Sequence, residues 1–117
     1  MNQIKFYKTD SGSCPVQEFL ESLAKVYARK IIWVLDIIRE SDKIPAQYFK
    51  KLSNTDDIGE VRASHGNNSF RLLGFWYNDE FIVLTNGFSK KTQKTPKKEI
   101  ALSEKRKINY LRRCDNG

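Results

Sequence analysis

The segment Phe70 to Tyr77, FRLLGFWY, is apolar on both of its alternating faces. A strand of that kind belongs inside a sheet, with a neighbour on either side. Two turns supply those neighbours. His65-Gly66-Asn67-Asn68 is a hairpin turn leading back to a strand from Ile58 to Ser64, and Asn78-Asp79-Glu80 leads forward to a strand from Phe81 to Thr85. Residues 3–7, QIKFY, alternate apolar and polar and predict a first strand near the N-terminus.

Between that first strand and the hairpins the spacing turns helical. Val16, Phe19, Leu20 and Leu23 recur at i, i+3, i+4 and i+7. Ile31, Val34, Leu35 and Ile38 repeat the spacing, with Trp33 and Ile37 widening the stripe. Pro15 suits the first helical position and Cys14 the N-cap, where a serine would cap better. One unbroken helix through both patterns would be long for so small a domain, so two helices in an antiparallel pair on the sheet are expected.

Ser41 to Asp57 reads as a polar connection anchored by Tyr48, Phe49 and Leu52. Lys50-Lys51 within it is either a solvated loop or a rim contact to nucleic acid. The last helix is expected from Pro96 to about Arg113, docking through Ile100, Ile108 and Leu111. The expectation is an α+β chain forming one domain over residues 1–117. Two N-terminal helices pack on an antiparallel sheet of about four strands, and a basic helix closes the chain.

Charge narrows the function classes. The net charge is +7, and Phe88 to Arg113 holds ten Lys or Arg against only Glu99 and Glu104. The remainder carries eleven cations against twelve anions, so the whole excess lies in the last quarter and a polyanionic partner is expected there, with Lys97, Lys98 and Lys105 as contacts. A membrane surface fits less well, because the last helix offers few large apolar residues to insert. No apolar run approaches the roughly 20 residues of a membrane span, and MNQIKFYKTD lacks a signal-peptide core, so a cytoplasmic site is expected. Cys14 and Cys114 have no metal-ligand spacing, His65 is the one histidine, and neither a metal nor another cofactor is expected.

The stretch Asn86 to Pro96, NGFSKKTQKTP, concentrates the chemistry. The strand is expected to end at Asn86-Gly87, releasing Phe88, Ser89, Lys90 and Lys91 from the sheet. Thr95 then serves as N-cap and Pro96 as first residue of the final helix. Lys90, Lys91, Thr92 and Lys94 are thereby held beside a helix N-terminus, which makes an anion site. A turn at Gly66-Asn67 also sets Arg62 opposite Arg71, and two like charges across a strand pair repel. Either they share a bound anion, or a carboxylate such as Glu60 or Asp57 neutralises one of them. With the junction lysines they would form one basin, and His65 at its rim would be a proton donor or acceptor near neutral pH.

EVRAS, followed by FRLLGFWYNDEFIVLTNGFSKKTQKTPKKEI, resembles the RelE/HigB-type toxins of bacterial and phage toxin-antitoxin pairs, in the phage-derived HigB-like branch. The resemblance implies a metal-independent endoribonuclease that cleaves mRNA on the ribosome, inhibits translation, and is restrained by a cognate antitoxin, often one with a helix-turn-helix domain. By position it places Arg62, Arg71, Lys90 and Lys91 among the basic active-site residues, with Lys94 and Thr95 in the same motif. It implies a base, with Lys90 or Lys91 as candidate, and an acid, with His65 or a lysine as candidate. A gyrase-binding toxin of the ParE type, acting without cleavage, is the alternative on the same fold. The paired arginines and the basic excess favour the nuclease.

Overall fold

A computed structural model describes residues 1–91 and 94–116. Its elements are β1 (Gln3–Phe6), α1 (Pro15–Ser22), α2 (Lys25–Glu40), β2 (Phe49–Lys51), β3 (Gly59–His65), β4 (Asn68–Tyr77), β5 (Phe81–Lys90) and α3 (Lys97–Asn116). The sheet runs β1-β5-β4-β3-β2, with β4 inside it. Two expectations need correcting. The sheet has five strands rather than about four, and it is mixed, because β1 lies parallel to β5 with Gln3 opposite Phe81. A parallel partner is reached only by a crossover, and α1 and α2 with the chain after them provide it. The fifth strand is β2, inside the segment expected to be a polar connection. Its exposed Lys50 and Lys51 mark a short charged edge, which discourages pairing with another chain.

The two helical patterns form two helices, separated at Leu23 and Ala24, whose ψ angles of 155° and 148° are extended. Pro15 opens α1, and Cys14 makes no side-chain capping bond. Ile31, Val34, Leu35 and Ile38 are at most 1% exposed and pack with Val61, Ala63, Phe70, Leu72, Ile82 and Leu84 on one face of the sheet. Burial of each such side chain is worth roughly 2 kcal/mol. Trp33 does not widen the buried stripe. It is 47% exposed and meets Tyr48 edge-on, with ring centroids 6.0 Å apart.

The opposite face carries Ile58, Leu73, Phe75 and Val83, covered by Ile100, Tyr110 and Leu111 of α3. Ile108, expected in that contact, is 51% exposed. Buried Ser103 takes the place nearest the sheet, with its hydroxyl 2.6 Å from that of Thr85. The same Thr85 hydroxyl reaches the Leu73 carbonyl at 3.1 Å, and the Asn86 amide donates to Glu99 Oε1 at 3.0 Å. This buried polar network sets α3 against β5.

The largest departure from expectation lies in β5, which continues through Asn86-Gly87 to Lys90. The β4–β5 register passes from Gly74 opposite Leu84 to Leu73 opposite Asn86, leaving Thr85 as an extra residue. This β-bulge shifts the side-chain alternation by one. Leu84 faces α1 and α2, while Thr85 and Asn86 both engage α3, and Phe88 then packs with the α3 cluster. Gly74 makes the bulge possible, because a β-carbon there would collide with the Val83 carbonyl oxygen. No helix among the described residues is long and apolar enough to cross a membrane.

Candidate active site

The shifted alternation determines which way Lys90 points. Counting onward from Phe88 on the α3 face, Lys90 emerges on that same face at the end of β5. On β3, Glu60 and Arg62 alternate onto this face from Ile58, and on β4 Arg71 does so from Leu73. The two-residue loop Gly66-Asn67, with Gly66 at φ +62°, sets the register that pairs Arg62 with Arg71.

Glu60 lies between these cations and is fully buried. Its Oε1 accepts a hydrogen bond from Arg62 Nε at 3.1 Å. Arg71 Nε lies 3.4 Å from the same oxygen, an ion pair without hydrogen-bond geometry. Arg71 Nη1 donates to the Phe70 carbonyl at 2.9 Å. Glu60 Oε2 accepts the Thr95 hydroxyl. The carboxylate alternative raised by the sequence is therefore realised, with one carboxylate serving both arginines.

An open cleft of about 1000 Å³ lies over Glu60 and Arg62, while Arg71 lines a neighbouring pocket of about 230 Å³ that shares Arg62 with it. Glu60, Arg62, Lys90, Lys94, Thr95 and Lys97 line the cleft, together with the loop from Leu52 to Thr55. Burial and the nearby Arg71 and Arg62 draw the Lys90 pKa below its ordinary value, with Glu60 opposing them. Burial likewise lowers the Arg71 pKa, Glu60 raises it and Arg62 lowers it. The arrangement can grip an anion through guanidinium groups and offer an amine that gives up its proton more readily than a free lysine.

Several residues singled out by sequence stand elsewhere. Lys91 is exposed beyond the end of β5, outside the cleft wall. His65 is exposed and does not rim the basin. It meets the Tyr27 ring of α2 at 5.7 Å, because it lies three positions along β3 from Arg62, an odd offset that puts it on the opposite sheet face. Thr95 is no helix cap, since its hydroxyl is committed to Glu60, and α3 begins at Lys97. Lys98 is exposed in the first turn of α3, beside the cleft rather than in its wall. Thr92 lies outside the described residues. The central place of Glu60 was the feature missed. Its signal was the EVR alternation, which puts a carboxylate two residues from Arg62 on the same face.

The remaining charge of α3 divides by face. Arg106 donates to the Thr85 carbonyl, Lys107 reaches Asp56, and Arg113 binds the Lys8 carbonyl, so these three hold the fold. Lys97, Lys98, Lys105 and Arg112 are exposed, and among the described residues none forms an ion pair. No group of three or more His, Cys, Asp or Glu among the described residues is placed to hold a metal ion.

Residues 18–107 match the model of a family described as phage derived protein Gp49-like (DUF891). A comparison with curated proteins gives no match. Among solved structures, the crystal structure of an archaeal RelE-RelB complex from Pyrococcus horikoshii OT3 is similar at 22% identity and a TM-score of 0.47, over 80% of this chain and 98% of that chain.

Proposed function

The chain belongs to the phage-derived Gp49-like family of RelE/HigB-type toxins, and on that premise we propose that it is a ribosome-dependent endoribonuclease that cleaves mRNA and is restrained by a cognate antitoxin. The observation that carries this reading is the joint placement of Lys90 and Arg62 in one open cleft, with Arg71 paired to the same buried carboxylate as Arg62 and the Lys90 pKa depressed. An antitoxin with a helix-turn-helix domain completes the reading.

The chemistry follows from what RNA supplies. A 2′-hydroxyl attacks the adjacent phosphate, and the neutral Lys90 amine takes its proton. Arg62 and Arg71 stabilise the charge that builds on the phosphorane, being permanently charged and forked to match phosphate oxygens. A cleft lysine, Lys94 or Lys97, returns a proton to the departing 5′-oxygen. The products are a 2′,3′-cyclic phosphate and a 5′-hydroxyl.

The reading is tested by mapping mRNA 5′ ends during brief expression, with DNA supercoiling followed in parallel. New 5′-hydroxyl ends confined to translated messages are expected. Relaxed DNA without new ends would replace the nuclease by the gyrase-binding alternative.

The exposed stripe of α3 gives a separate expectation. Replacing Lys97, Lys98 and Lys105 together by Gln should weaken ribosome binding and flatten its salt dependence by about 2 units of log K against log salt. An unchanged slope would assign this stripe to solvation or to antitoxin contact.

A further inference from the structure

We propose that Glu60 is the positioning residue of the cleft, a buried clamp that, with Arg71 paired to the same carboxylate, holds Arg62 and the Lys94–Lys97 segment in the one arrangement that meets a phosphate. This rests on the nuclease reading and deepens it.

A carboxylate with no exposed surface is costly unless it is paired and hydrogen-bonded, and Glu60 is held by Arg62 and Thr95 of the cleft wall and by Arg71 beside them on β4. The carboxylate accepts a hydrogen bond from Arg62 Nε, the edge nearest the chain, and holds Arg71 as an ion pair at 3.4 Å. The outer Nη atoms of Arg62 carry no hydrogen bond among the described residues, so they remain for a ligand. Without the carboxylate, Arg62 and Arg71 would face each other directly across the strand pair. The second oxygen reaches Thr95, on a segment 35 residues away that carries Lys94 and Lys97 into the cleft wall. One side chain thus joins β3, β4 and the start of α3.

Glu60 also affects Lys90. The charged groups around Lys90 are Arg71 of β4, Glu60 and Arg62 of β3, Lys94 before α3, and Lys97 and Glu104 on α3, while Lys50 of β2 is exposed across from Glu60. Removing the Glu60 charge takes away an influence that raises the Lys90 pKa.

Wild type, Glu60→Gln and Thr95→Val are compared as full chains on ribosomes programmed with a short message, in single turnover across pH, with urea unfolding alongside. Glu60→Gln keeps the shape and can still accept the Thr95 hydroxyl. Its rate constant should fall about 100-fold, from mispositioned arginines, and the midpoint of its pH–rate profile should move to lower pH. Wild-type rate and midpoint would overturn the proposal, as would lost stability with rate per folded molecule and midpoint unchanged. If Glu60→Gln does not fold, Thr95→Val decides, with about a tenfold fall expected and an unmoved midpoint. A wild-type rate for that variant sinks the clamp.

If wild type cleaves nothing, the nuclease reading fails by itself. The clamp is then read from binding of a short RNA oligonucleotide, which Glu60→Gln should weaken about tenfold through the disordered arginine pair. Equal affinity would overturn it.

Discussion

Lys90→Met is expected to lower the rate of message cleavage by about 10²- to 10⁴-fold, the usual contribution of a positioned general base. Methionine keeps an unbranched apolar side chain in the partly buried position, so the fold and ribosome affinity should change little. The pH dependence gives a second readout with a definite sign. A lysine base works only when neutral, so with Lys90 as the proposed base the rate should rise with pH and level off once its amine has lost its proton. Burial, Arg71 and Arg62 hold that pKa below the ordinary lysine value of 10.5, and the plateau should arrive correspondingly early. The variant should lose this rising limb. A Met variant that cleaves at the wild-type rate would show that the base lies elsewhere.

Gly74→Ala should destabilise the protein by about 3 kcal/mol, at the upper end for an overpacked interior site. The added methyl would meet the Val83 carbonyl and the Leu84 backbone, neither of which can rotate away. The measurement is a urea transition whose midpoint falls while its slope is unchanged. The consequence for the site is specific. Gly74 lies at the shift that leaves Thr85 unpaired, and that shift puts Lys90 on the same face as Arg62 and Arg71. Where the variant still folds by removing the bulge, Lys90 turns to the other face and cleavage falls as it does in Lys90→Met. Wild-type stability would mean that the two strands separate there at little cost.

Glu60 changes how mutations of the arginines are to be read. Removing Arg71 would leave a buried carboxylate with one partner fewer, and breaking a buried pair costs about 3–5 kcal/mol. Loss of activity on replacing Arg71 therefore mixes chemistry with folding. Lys90 carries no such structural load, which makes it the cleaner probe.

Local pattern alone was enough for the two helices, because their apolar stripes follow the helical period, and for the Arg62–Arg71 register, because Gly66-Asn67 leaves a two-residue loop one way to close. It also located the basic quarter and the KKTQKTP run. The position of β1 beside β5, the length of β5 and the face taken by Lys90 were decided in three dimensions. A parallel pairing across most of the chain leaves no local signature, and the bulge at Thr85 depends on how closely Gly74 lets two backbones approach. The same distinction separates the two lysines of the junction. Lys90 and Lys91 are indistinguishable as letters, yet one enters the cleft and the other is exposed, because β5 carries Lys90 on the α3 face and ends before Lys91.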